Sequence, residues 1–161
     1  MSLRKGVYCI QNVGSGQPWV ATSSVSRGLL PLPVPLRTIL SEDRRTPLEI
    51  IPIDDDKYQL RVYGDFVFRD KEDLKEPVKI SFEAIEIEDI WWVIERGSSE
   101  GHFRIKDVVS EGYWTRHKGE KEGKTVEKYG EGEYEIEGEG VPIRLEQANG
   151  DLLQEWRIIR N

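Results

Sequence analysis

The chain has 161 residues, 37% of them hydrophobic and 33% charged, which is long enough to bury one core and too apolar along its length to be disordered. A formal net charge of −7, with Lys and Arg interleaved among Glu and Asp, excludes the basic stripe of a nucleic-acid binder. Cys9 is the single cysteine, so no intramolecular disulfide is possible, and no apolar run approaches the ~18 residues of a membrane span.

Met1 to Lys5 carries no apolar signal core and leads directly into a strand-like segment, which sets the expectation of a soluble, cytoplasmic protein. Gly6-Val7-Tyr8-Cys9-Ile10-Gln11 alternates with period two and predicts a strand with one buried face, in which Cys9 is a small buried thiol. The glycine-rich turn Asn12-Val13-Gly14-Ser15-Gly16 joins it to a second strand, Pro18-Trp19-Val20-Ala21. Thr22 to Leu30 reads as a polar, exposed loop.

Leu30 to Leu36 carries proline at every second position, Pro31, Pro33 and Pro35. Such spacing strips donors from one edge and leaves Leu30, Leu32, Val34 and Leu36 on the opposite face, as in an edge strand or a stiff extended loop. Leu48-Glu49-Ile50-Ile51 closes this first unit.

The rhythm then recurs. After the turn Asp54-Asp55-Asp56 come Lys57-Tyr58-Gln59-Leu60-Arg61-Val62 and Gly64-Asp65-Phe66-Val67-Phe68, closed by Trp91-Trp92-Val93-Ile94. After Gly97-Ser98-Ser99-Glu100-Gly101 come His102-Phe103-Arg104-Ile105-Lys106 and Gly112-Tyr113-Trp114-Thr115, closed by Trp156-Arg157-Ile158-Ile159.

The third unit is longer, with an insertion between residues 118 and 150. Within it Glu131, Glu133, Glu135, Glu137 and Glu139 alternate with Gly132, Tyr134, Ile136 and Gly138. Carboxylates in such a row repel and need water, and Lys118, Lys121, Lys124 and Lys128 upstream are placed to offset them in a long hairpin. A flat row does not wrap a calcium ion. Asn149-Gly150 reads as a hairpin turn.

Tyr8, Tyr58 and Phe103 occupy one place in three related units, and no stretch of ten residues has a clean helical period. The expected fold is all-β, a β-trefoil: three four-stranded pseudo-repeats, at about 1–53, 54–96 and 97–161, closing a six-stranded barrel with a hairpin cap in one domain, monomeric in solution.

Catalytic chemistry is hard to assemble from this composition. Nothing marks His102 or His117 as a general base, there is no nucleophile elbow, and two histidines with one cysteine make a poor metal set. The expectation is a binding protein with no catalytic residues, metal or cofactor. A sugar-binding trefoil is one alternative, since Gln154-Glu155-Trp156 fits the Gln-x-Trp lectin signature, although Asp89-Ile90-Trp91 and Pro47-Leu48-Glu49 in the other units do not.

Within Thr22 to Leu30 one basic residue, Arg27, stands among small and polar neighbours, as in protease bait held stiff enough that cleavage is slow. Arginine suits a trypsin-like pocket because its planar fork pairs bidentately with a carboxylate. The candidate reactive loop is Val25, Ser26, Arg27, Gly28 and Leu29, with Arg44-Arg45 and Arg116-His117-Lys118 as competing basic segments.

The opening Gly6-Val7-Tyr8-Cys9-Ile10-Gln11-Asn12, the tryptophan-led strands, the closing Trp156-Arg157-Ile158-Ile159 and the lack of disulfides resemble the mushroom β-trefoil protease inhibitors, in particular the cospin-type serine protease inhibitors. The resemblance spans nearly the whole chain. It implies a trypsin-like serine protease as partner, bound through an arginine between the second and third strands, which by position is Arg27. Relatives on this scaffold target papain-like cysteine proteases through other loops, a role that here would fall to Asn12-Val13-Gly14-Ser15-Gly16.

Overall fold

The computed structural model describes residues 3–14, 16–22, 24–27, 32–69, 77–81, 87–117, 123–129 and 134–161. The first third of the chain supplies β1 (Gly6–Asn12), β2 (Trp19–Ala21), β3 (Ser24–Arg27), β4 (Val34–Pro35), β5 (Arg37–Ile39) and β6 (Leu48–Asp54). The middle third supplies β7 (Lys57–Val62), β8 (Asp65–Phe68), β9 (Lys79–Ser81) and β10 (Trp91–Arg96). The last supplies β11 (His102–Asp107), β12 (Tyr113–Arg116), β13 (Lys124–Tyr129), β14 (Tyr134–Glu139), β15 (Val141–Glu146) and β16 (Trp156–Arg160).

The period-two pattern is realised as predicted. In β7 the half-buried Lys57, Gln59 and Arg61 alternate with buried Tyr58, Leu60 and Val62, and β11 repeats the pattern with Phe103, Ile105 and Asp107 inside. Six strands close a ring by antiparallel pairing, β1–β6–β7–β10–β11–β16 and back to β1. Closure leaves the ring without an exposed edge. The hairpins β2–β5, β8–β9 and β12–β15 cap one end. The fold is a β-trefoil.

Three buried tryptophans fill the space between barrel and cap. Trp114 packs edge-on against Trp92 and Trp156, at centroid distances of 5.5 and 5.9 Å. Trp92 Nε1 donates to the Val67 carbonyl at 3.0 Å, and Trp156 Nε1 to the Trp114 carbonyl at 3.1 Å. These bonds remove the cost of burying two indole N–H groups. Tyr8, Tyr58 and Phe103 all lie in the same core. Cys9 is buried, as expected.

The threefold relation is sharpest where no alternating strand predicts it. The Leu36 N–H donates to the Val78 carbonyl (2.8 Å), Val78 to Ile143 (2.8 Å), and Ile143 back to Leu36 (3.0 Å). Each of the three follows a proline and precedes a base, in Pro35-Leu36-Arg37, Pro77-Val78-Lys79 and Pro142-Ile143-Arg144. The proline fixes φ and brings no donor of its own, so the next N–H is the one offered to the ring. The short β4, paired on β9, is the edge element the proline spacing allows.

Each third also turns through a short 3-10 helix before its closing strand, at Glu42–Arg44, Ile87–Ile90 and Leu152–Gln154. The last of these corrects the reading of Asn149-Gly150. Asn149 Oδ1 accepts the Asp151 N–H at 2.8 Å, and Asp151 Oδ1 then caps the helix by accepting Leu153 N–H at 3.0 Å, so the pair opens a helical turn rather than a hairpin.

Between the middle and last thirds lies a buried ion cluster. Arg69 Nη2 is 2.7 Å from Asp89 Oδ1 and its Nε is 2.9 Å from Asp107 Oδ1, with all three side chains at 7% exposure or less. Asp107 Oδ2 also accepts the Ser110 N–H at 2.6 Å.

Gly140 joins β14 to β15 with φ +96, and a Cβ there would collide with the Thr38 carbonyl. Gly140→Ala is expected to cost about 2 kcal/mol or more, combining left-handed backbone strain with that clash. A thermal midpoint about 4–8 °C lower in calorimetry would register it.

Candidate functional site

The predicted reactive segment is found in a second, smaller sheet of order β13–β14–β3. Ser24, Val25, Ser26 and Arg27 pair with Gly138, Glu137, Ile136 and Glu135 respectively. This corrects the expectation of a free loop from Thr22 to Leu30: four of its residues are strand, because the acidic insertion of the last third supplies a partner edge. Gly28 and Leu29 lie outside the described residues.

The acidic segment does form the hairpin predicted for it. Lys124 stands opposite Glu139 and Lys128 opposite Glu135, so two of the four upstream lysines share register rows with the glutamates. Lys118, Lys121, Glu131 and Glu133 lie outside the described residues. Arg27, Glu135 and Lys128 thus occupy one register row, base–acid–base.

The other face of β14 rests on the cap. Ile136 is 2% exposed, and Gly138 lies so close to the Arg37 guanidinium that a Cβ would overlap it. Arg37 is wholly buried and donates from Nη1 to the Gly140 carbonyl at 3.2 Å. The equivalent bases Lys79 and Arg144 are only half-buried, so it is the added sheet that covers Arg37. Arg44 Nη1 holds the hairpin from a second side through Glu139 Oε2, at 2.6 Å.

Within the described chain β3 therefore ends its sheet, with a strand on one side. Its sequence, Ser-Val-Ser-Arg, is an unremarkable strand former, held in place by the partner rather than by propensity.

The competing basic residues are engaged elsewhere. Arg44 pairs with Glu139, Arg45 Nη1 donates to the Glu42 carbonyl (3.0 Å) and stacks over Trp19 (5.4 Å), and Arg116 Nε donates to Thr38 Oγ1 (3.1 Å). The glycine-rich turn is fixed to the last third: Asn12 Nδ2 donates to the Leu153 carbonyl at 3.0 Å, and its Oδ1 accepts the Gly14 N–H at 2.9 Å. Beside it runs a groove lined by Val13, Gly14, Gln17, Arg116, Asp151 and Leu152. The Gln-x-Trp signature has a structural job here. Gln154 Nε2 donates to Gln147 O (2.7 Å) and Thr115 Oγ1 (3.1 Å), while Trp156 fills the core.

A second cleft is lined by the turn of residues 96–103, and that turn is anchored on Glu155, which is 1% exposed. Glu155 Oε1 accepts Ser98 N–H and Oγ–H, each at 2.9 Å, and lies 3.3 Å from His102 Nδ1; Oε2 is 3.4 Å from Arg104 Nη2. Burial pushes the carboxyl up, but the Ser98 hydrogen bonds and Arg104 outweigh it and hold Glu155 below the usual carboxylate range.

A depressed folded-state value means that this stability is present above the ordinary carboxylate range and is lost as pH falls through the lowered value. Glu155→Gln is expected to cost about 1–3 kcal/mol at neutral pH and to flatten the acid limb. Thermal midpoints measured from pH 7 down to 3 would show the variant and parent curves converging at the acid end. Among the described residues no group of three or more His, Cys, Asp or Glu side chains is gathered to hold a metal ion.

No protein-family model and no curated protein sequence matches the chain. Solved structures do. A designed threefold-symmetric protein, ThreeFoil, superposes with a TM-score of 0.66 at 10% identity, over 97% of this chain and 99% of that one. A proteinase inhibitor from Coprinopsis cinerea gives 0.65 at 16% identity, over 99% of this chain and 100% of that one. A Polyporus squamosus lectin, solved with an influenza-binding glycan epitope, gives 0.66 at 14% identity over 99% of this chain and 50% of that one. What is shared at these identities is the fold.

Proposed function

We propose that the chain is a reversible, substrate-like inhibitor of trypsin-like serine proteases, acting through Val25, Ser26 and Arg27 with the Gly28 and Leu29 that follow. The observation that carries this reading is that Arg27 ends an extended strand whose backbone is held by β14 on one side. A strand already extended can add to a sheet edge in a protease cleft through its main chain. Its backbone is ordered before binding, so that part of the cost of association is already met.

Arg27 then reaches the specificity pocket, where a guanidinium meets a buried carboxylate bidentately. The likeness of the whole chain to a fungal proteinase inhibitor of similar length supports a scaffold of this class. The expected interface is of standard size, about 1,600 Å² in total.

A second reading rests on the groove beside Val13, Gly14 and Gln17. There the glycine-rich turn would serve against papain-like cysteine proteases. The test is residual trypsin activity at increasing inhibitor, with papain assayed in parallel. Stoichiometric loss of trypsin activity alone supports Arg27, and loss of papain activity alone moves the site to the groove. Retention on immobilised glycans with neither effect would overturn both in favour of sugar binding.

A further inference from the structure

We infer that the β13–β14 hairpin is the positioning element of the reactive strand: it holds Ser24–Arg27 in the inhibitory conformation and keeps the strand seated if the bait peptide is cut. This rests on the inhibitor reading above, and adds to it the part of the molecule that makes the bait stiff.

Four observations carry it. All four residues of β3 pair with β14 in continuous register. The hairpin is in turn locked to the cap, by Ile136 at 2% exposure, by Gly138 against the buried Arg37, and by the 2.6 Å Arg44–Glu139 ion pair. Its two ends are tied to each other, with Gly140 N–H donating to the Gly123 carbonyl at 3.1 Å. Finally, a chain without disulfides has no covalent clamp for this segment. The rigid barrel reaches β3 chiefly through β14.

The chemistry explains why such a clamp matters. Trypsin hydrolyses the Arg27–Gly28 peptide bond by adding one water, giving a carboxylate on Arg27 and an ammonium on Gly28. A flexible segment would then diffuse out of the cleft, and the chain would be a substrate. A segment zipped to β14 keeps the new carboxylate at the enzyme, so release is slow.

Two variants separate the clamp from the bait, since neither changes residues 24–29. Gly138→Val drives a side chain into Arg37 and lifts β14. Replacing residues 124–139 by two glycines removes the hairpin at the point where its ends already meet. Each is compared with the parent for trypsin inhibition, for cleavage at Arg27 by intact mass, and for hydrogen exchange of the β3 amides. Fluorescence of the buried tryptophans reports the barrel.

The expected result is inhibition weakened on the order of tenfold or more, cleavage at Arg27, and fast exchange over Ser24–Arg27 with the tryptophan signal retained. Undiminished inhibition and resistance to cleavage in both variants would overturn the inference and leave the inhibitor reading intact. If the parent itself spares trypsin, the inhibitor reading fails first and takes the inference with it. Should both variants unfold, exchange in the parent decides: β3 amides protected like those of β14 support the clamp, and exchange as fast as in a free loop overturns it.

Discussion

Arg27→Ala should weaken inhibition of trypsin by roughly 30- to 5,000-fold, the loss of about 2–5 kcal/mol expected when a buried pocket carboxylate is left without its partner. The thermal midpoint should move by no more than about 2 °C, because the β3–β14 ladder is made by backbone groups and survives a change of side chain. That contrast distinguishes a recognition residue from a folding one. Arg27→Lys should fall between the two, since an ammonium keeps the charge but loses the bidentate fork. Inhibition constants from tight-binding titration, beside calorimetry on the same samples, test all three. Equal inhibition by Arg27→Ala and the parent would remove Arg27 from the site.

The largest stability effect is expected at Arg69. Replacing it by methionine leaves Asp89 and Asp107 buried at 5% and 1% exposure with their shared cation gone. Breaking a buried pair by removing one partner typically costs about 3–5 kcal/mol. For a chain of this size that corresponds to a midpoint lower by about 6–20 °C. The triple change Arg69→Met, Asp89→Leu, Asp107→Leu should recover part of the loss, because it removes the two buried carboxylates along with their shared cation, although the Ser110 N–H then loses its acceptor. A triple variant less stable than the single one would show that the cluster contributes net stability rather than specificity.

Much of this fold is legible in the residues. Tyr8, Tyr58 and Phe103 announce three equivalent strands because each sits in a clean alternation, and alternation is what a half-buried strand imposes on its sequence. The closing strands at Leu48, Trp91 and Trp156 are equally plain. The Pro-aliphatic-basic triplets at 35–37, 77–79 and 142–144 are a repeat of the same standing. They are harder to see, because the first is embedded in a proline run that reads locally as an edge.

The candidate site was less legible for a physical reason. Ser24–Arg27 carries one apolar residue in four and no periodicity, so nothing in it predicts a strand. Its partner lies in the other end of the chain, and pairing at that separation leaves no local trace. The hairpin itself was predictable from its alternating glutamates and upstream lysines. A glycine at 138 interrupting the inward row beside Ile136 was the available hint that something approaches closely there, and that something is Arg37.

The ring of hydrogen bonds joining Leu36, Val78 and Ile143 has a consequence for how the molecule comes into being. A nascent chain that has left the ribosome only as far as residue 96 holds Val78 N–H ready with no Ile143 carbonyl to receive it, and the Leu36 carbonyl waits for the same absent residue. The β1–β16 seam that closes the barrel is missing too. Contacts so distant in sequence make folding slow and concerted. Closure of the barrel should therefore wait for the last third, with a stalled two-thirds chain remaining a client of chaperones and proteases until that third arrives.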